Sequence, residues 1–245
     1  MQKELQQIGR AAGLDKSRVE YTLKIALQQA FCEYFNIREC EIDDMDSRLI
    51  KAVFRVPEDM PVAEAEVFQG MVCEDDIITV EFDFDALPVS VQHTTHDLFV
   101  RYVDKVRLDE AYLKWKKLVH GAVEGVIAEK HGDRITVSLG DDNVTGIMLR
   151  QHWIPGEIAL YIEGRAFLFY LLKVIRNKHI VEIHLSRTSK NFPCAVLSCI
   201  APWIRAKSIK RIAGKKSWLV ADSPVEMDVI NALRRELKGE AVEVS

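Results

Sequence analysis

Apolar positions recur with a helical period across "LDKSRVEYTLKIALQQAFCEYF", where Val19, Leu23, Leu27, Ala30, Phe31, Tyr34 and Phe35 form one wide stripe. Asp15 or Ser17 can cap this helix, and Ser17 with Glu20 has capping-box spacing. The period then shortens. "RLIKAVFRVP" and "DIITVEFDF" read as strands separated by an acidic loop with Pro57 and Pro61. A second helical stretch, "TTHDLFVRYVDKVRLDEAYLKWKKLV", connects this mixed α/β region to the C-terminal half of the chain.

From Gly121 the pattern becomes short, turn-bounded and partly alternating. "GAVEGVIAEK", "DRITVSLG" and "VTGIML" are strand-like, with Ile135, Val137 and Leu139 on one face. "PGEIALYIEGRAFLFYLLKVIRN" and "HIVEIHLSRT" add a long strand pair. About five antiparallel strands of this length predict a small closed barrel of the OB type, with a five-stranded sandwich as the alternative. Beyond Ser189, "PCAVLSCIAPWI" reads as a short helix, and "SIKRIAG" and "SWLVA" as two strands. Ser223 at the cap, Pro224 at the first helical position and Glu226 predict a second helix with Val225, Val229, Leu233 and Leu237 on its apolar face. Gly239 stops it, and "AVEV" returns as a strand. The order is αββαβ, a two-layer unit.

Composition changes this picture in one respect. The 245 residues carry a net charge of −4, but Met1 to Glu110 holds 12 basic against 23 acidic residues, net −11, whereas Ala111 to Ser245 is net +7. Ala201 to Trp218 carries six cations and no carboxylate. A basic half suits a polyanion, and an acidic half keeps that polyanion off its own surface; two solvated faces are the plainer alternative. No apolar run approaches the roughly 18 residues of a membrane span, and nothing at the N-terminus resembles a signal peptide, so a cytoplasmic location is the default. Cys32, Cys40, Cys73, Cys194 and Cys199 are odd in number and lack C-x-x-C spacing, which favours buried thiols over a disulfide or zinc framework.

An acidic α/β head, a five-stranded barrel and a basic αββαβ unit in this order resemble the bacterial transcription elongation and antitermination factor family NusA. "VEIHLSRTS" (Val181 to Ser189) is similar to that family's end of the S1 barrel, and "ELKGEAVEVS" (Glu236 to Ser245) to the ending of its first KH domain. "IPGE" (Ile154 to Glu157) and the placement of Leu14 to Phe31 fit as well. The resemblance implies an α+β multidomain chain. It comprises a mixed α/β polymerase-binding domain (1–106), a connecting helix (107–120), an S1-like OB barrel (121–188) and a truncated αββαβ KH-like domain (189–245). It further implies binding to the RNA polymerase core through residues 1–106, and contact with single-stranded nascent RNA that adjusts pausing, termination or antitermination.

Two departures qualify that implication. KH domains clamp RNA with a Gly-x-x-Gly loop between two helices, whereas "VADSPVEMDVINALRREL" passes from strand to the last helix with no such loop. The sequence also ends at Ser245, before the position of the family's second KH domain, so weaker or less selective RNA binding than the family norm is expected. Contact with RNA is therefore expected through Arg205, Lys207, Lys210, Arg211, Lys215 and Lys216 as phosphate-directed charges. On the barrel, Lys130, His131, Arg134, Arg150, His152 and Arg187 are the candidates, and Phe167, Phe169 and Tyr170 are expected to be core rather than stacking platforms.

Other chemistry is weaker. His93 and His96 in "HTTH" lack the further ligands of a zinc site and read as a turn or helix start. Asp83 with Asp85, and Asp141 with Asp142, could bind Mg²⁺ but read as solvated carboxylates. No Gly-rich phosphate loop and no set of nucleophile, base and orienter is present in the sequence, so neither an enzyme nor a cofactor or metal is expected. Acidic residues around the first helix, among them Glu33, Glu39 and Glu41, are candidates to face a basic or mixed polymerase surface. Two rival readings stay open: a standalone S1-type RNA-binding regulator, and a polymerase adaptor with little RNA binding. The oligomeric state stays open too.

Overall fold

In the computed structural model, which describes residues 2–38, 40–45, 49–55, 77–141 and 144–245, the N-terminal stripe becomes helix α2 (Lys16–Phe35), preceded by α1 (Gln2–Ala11). Asp15 is the cap: its Oδ1 accepts the Arg18 N–H at 2.9 Å and the Ser17 hydroxyl at 2.7 Å. Ser17 thus serves the capping carboxylate. Val19, Leu23, Leu27, Ala30, Phe31 and Phe35 are buried as expected, whereas Tyr34 faces solvent. Asn36 in the left-handed conformation ends the helix.

Strands β1 (Cys40–Met45), β2 (Leu49–Arg55) and β3 (Ile77–Asp83) form an antiparallel sheet in that order. The first of them is not announced by the apolar pattern, and the expected acidic loop with Pro57 and Pro61 lies outside the described residues. The next helix, α3 (Val89–Lys116), starts earlier than its apolar pattern suggests. His93 and His96 therefore sit inside it, not in a turn or at its start, because Val91 already belongs to the buried face and draws the helix back. Val91, Phe99 and Val103 pack with the α2 stripe in one core.

The chain forms two compact units, Met1–Arg107 and Leu108–Ser245. In the second, β4 (Ala122–His131), β5 (Arg134–Ser138), β6 (Val144–Leu149), β7 (Ala166–Arg176) and β8 (Val181–Ser186) close into a barrel in the order β4-β5-β6-β8-β7, consistent with an OB-type barrel. The pairing is mixed rather than wholly antiparallel, since β6 and β8 run parallel. The segment Pro155–Leu160, expected to extend a strand, is a 3-10 helix. Pro155 removes a donor from any ladder there and favours a helical start. Gly125 permits the barrel wall to close: a Cβ there would lie 2.4 Å from a Val137 methyl.

Helix α4 (Phe192–Ile200), β9 (Ala206–Ile212), β10 (Lys216–Ala221), α5 (Met227–Glu236) and β11 (Ala241–Val244) come next in the expected αββαβ order. Their sheet runs β11-β10-β9, with β9 antiparallel and β11 parallel to the central strand. The last helix does not begin at Ser223. Glu226 is its N-cap, and the Ser223 hydroxyl instead meets Asp222. Val225 reaches the apolar core from an extended segment, and Pro224 disfavours helical backbone at Ser223.

Strand β7 explains its own unusual sequence. Phe167, Phe169 and Leu171 fill the barrel, while Leu168, Tyr170 and Leu172 point the other way into the core of the αββαβ layer, against Phe192, Leu197, Leu219 and Leu233. Both faces are apolar because both are covered. The β9–β10 turn also seats on the barrel side: Gly214 has φ +76°, and a Cβ there would lie 2.5 Å from Ile154 Cγ2. Gly214→Ala is expected to cost about 1–3 kcal/mol from left-handed strain and overpacking. Thermal unfolding checks this, and Ile154→Ala in the same chain should relieve the overpacking part and leave the strain.

Candidate nucleic-acid interface

The twelve cationic positions expected to meet RNA divide into three sets. Two of them are internal. Arg187 is fully buried, and its Nε and Nη2 donate to the two oxygens of Glu157 at 2.8 and 2.5 Å. Its Nη1 donates to the Leu168 carbonyl at 2.8 Å, and Nη2 also reaches the Glu236 carbonyl at the end of α5 at 3.3 Å. The Phe167 and Phe192 rings flank it. The Tyr161 hydroxyl donates to the same Glu157 at 2.8 Å, and burial followed by the Glu157 charge raises that phenol's pKa.

Arg211 is the second. Its side chain is 1% exposed; Nε and Nη2 each donate to a different oxygen of Glu240 at 2.9 Å, and Nη1 donates to the Arg187 and Ser189 carbonyls at 2.8 and 2.6 Å. Glu240 additionally accepts the Gly214 N–H at 2.8 Å and the Ser217 hydroxyl. Burial alone would raise the Glu240 pKa, but the Arg211 and Ser217 hydrogen bonds, with the Arg211 charge and the Gly214 amide, hold it below the usual value. Both side chains are closed off from solvent, 0% and 1% exposed, so the expectation that Arg187 and Arg211 contact RNA is corrected. They join the barrel to the αββαβ layer.

The second set gathers at one end of the barrel. Register pairs His131 with Arg134 across the β4–β5 turn and Arg134 with Leu149 at the end of β6. The Arg150 amide donates to the Asp133 carbonyl at 2.7 Å. Lys130, His131, Arg134 and Arg150 are exposed there, with His152 half-buried beside them. Lys130 Nζ lies 5.5 Å from the Trp153 ring and donates to the Ile158 carbonyl at 3.1 Å. His184, missed in the sequence, joins this group. Burial and then the neighbouring His184 lower the pKa of His152; burial, Lys173 and Arg134 lower that of His184 against the opposing pull of Glu182. At neutral pH both rings are therefore uncharged, and the positive field of this end comes from Lys130, Arg134 and Arg150. Phe167, Phe169 and Tyr170 are buried, as expected of core.

The third set lies on the C-terminal sheet. Arg205, Lys207, Lys210 and Lys215 are exposed, while Lys216 is half-buried and pairs with Glu243 at 2.7 Å. Between the end of β10 and the start of α5 run only the five residues 222–226, with no helix and no Gly-x-x-Gly loop.

Among the described residues no group of three or more His, Cys, Asp or Glu side chains could hold a metal ion. His93 and His96 lie on α3, Asp83 ends β3, Asp85 follows it in a 3-10 turn, and Asp142 lies outside the described residues. Glu33 is on α2 and Glu41 on β1, while Glu39 is also outside the described residues. Among the described residues no helix is long and apolar enough to cross a membrane. No protein-family model matches this chain, and comparison with curated proteins returns no match.

Proposed function

We propose that this chain is a NusA-like transcription factor. Residues 1–106 bind the RNA polymerase core, and the basic half meets single-stranded nascent RNA to modulate pausing, termination or antitermination. The observation that carries the reading is a closed five-stranded barrel followed by an αββαβ layer, with exposed cations collected at one barrel end and on one sheet. The layer corresponds to a KH-like domain shortened between β10 and α5. The factor performs no covalent step; it shifts the balance between paused and moving polymerase through its differential contacts with the two.

RNA contact in this reading is electrostatic positioning without sequence readout. Binding of unstructured RNA across a salt series should give a log–log slope that becomes shallower by about 0.7 for each lysine removed among Lys207, Lys210 and Lys215. A parallel capture assay with RNA polymerase core should retain the wild-type chain and a fragment of residues 1–107. A chain that binds RNA but not polymerase would replace the proposal with a standalone RNA-binding regulator.

One observation favours a second reading, the polymerase adaptor. With Arg187 and Arg211 internal and no Gly-x-x-Gly loop in 222–226, this half has fewer RNA contacts than its charge suggests. Polymerase binding with negligible RNA affinity at low salt would establish it.

A further inference from the structure

The solvent-facing side of the β9–β10–β11 sheet carries a pattern that phosphate steering alone does not require. Along β10, Ser217 and Leu219 are buried, so Lys216, Trp218 and Val220 point to the opposite face. Register sets Lys210 of β9 and Glu243 of β11 on either side of Trp218, Ile212 beside Lys216, and Lys207 beside Val220. The pairing slips between Trp218 and Leu219, which leaves Ile209 as an extra, 53% exposed residue. Ile212 and Val220 are each 44% exposed. The Lys210 and Lys216 ammonium groups stand 5.5 and 4.9 Å from the Trp218 ring.

We propose that this face is a stacking platform for single-stranded RNA, with one base on the Trp218 indole and the backbone running along the lysines of β9. The inference rests on the RNA-facing reading above and adds the base-contacting residue and its mode. Three arguments select this occupant. A half-buried indole rimmed by aliphatic side chains and cations matches a planar base joined to a phosphate, the arrangement by which single strands are held without sequence readout. The carboxylate on the face, Glu243, is held below its ordinary pKa by the hydrogen bond and charge of Lys216 and is already paired with it. The uncompensated charge is thus that of Lys207 and Lys210, which places the backbone over β9. Finally, the indole beside the barrel-end cations, Trp153, is buried, so that surface offers bases only the smaller imidazoles of His131 and His152, whereas the sheet offers an indole.

The test uses the full chain in a Trp203→Phe background, because the 71% exposed Trp203 indole would otherwise add its own response to solvent and ligand. A short unstructured RNA oligonucleotide is titrated while tryptophan emission and affinity are followed, with thermal unfolding as the check of folding. Wild type at Trp218 should show quenching on binding. Trp218→Leu should lose most of that quenching and bind roughly 5- to 100-fold more weakly at an unchanged salt slope, while Trp218→Phe recovers much of the affinity. Lys207→Ala with Lys210→Ala should instead make the slope shallower by about 1.4. If the chain binds RNA and Trp218→Leu matches it in affinity and slope, the platform is overturned and the RNA-facing reading stands. If the chain shows no RNA binding at low salt, the RNA-facing reading and the platform fall together. Should Trp218→Leu unfold, Trp218→Phe and the lysine pair decide: a loss confined to the lysine pair with no emission change on binding overturns the platform.

Discussion

Arg187→Met is expected to destabilise the second unit by about 3–5 kcal/mol, the largest effect expected of any single substitution named for this chain. The change leaves the Glu157 carboxylate buried opposite a thioether, and it removes donors from the Leu168 and Glu236 carbonyls at the same time. Removing both charges with Glu157→Leu and Arg187→Met should recover part of the loss, because the unpaired carboxylate is gone. It should not recover all of it, because the two carbonyls remain without their donor. Urea unfolding of the four chains of this cycle measures the coupling. A single mutant within about 0.5 kcal/mol of wild type, the range of an ordinary surface substitution, would contradict the buried geometry.

The second large effect concerns Arg211 and Glu240. Arg211→Lys keeps the charge but cannot donate to both Glu240 oxygens and to the Arg187 and Ser189 carbonyls together. A loss of about 2–4 kcal/mol is expected, on the scale of a broken buried charge pair. The pair also sets an acid limit. The folded-state pKa of Glu240 is lowered, so its contribution is complete above the unfolded carboxylate value, near 4.5, and disappears as pH falls through the folded value. Stability of wild type should therefore drop below about pH 4.5 more steeply than that of Glu240→Gln, which should be less stable at neutral pH and flatter in acid. Denaturant midpoints between pH 3 and 7 would read the difference; parallel curves would sink it.

The same two arginines show where sequence reasoning stops. Elements announced by periodicity were legible: the α2 stripe, the strands around Ile135 and Val137, the αββαβ order after Ser189. β1 was not, because "CEIDDM" is acidic and its pairing to β2 supplies what propensity does not. The parallel β6–β8 contact is set by tertiary closure, which no local pattern encodes. By residue type alone Arg187 and Arg211 belong on the surface, because arginine usually does. A signal existed all the same. Glu157 stands alone in "IPGEIAL", among apolar residues, and a lone carboxylate destined for burial needs a cation supplied from elsewhere in the chain.

The double-sided strand β7 has a consequence for how the protein is made. As the chain leaves the ribosome the five barrel strands emerge before α4, and Leu168, Tyr170 and Leu172 then form an oily outer wall with nothing yet synthesised to cover it. The barrel can close early, but it is not dry on the outside until the strands and helices up to Val242 have arrived. For that interval the nascent barrel exposes an apolar wall, and the αββαβ layer, besides any task of its own, is what covers it.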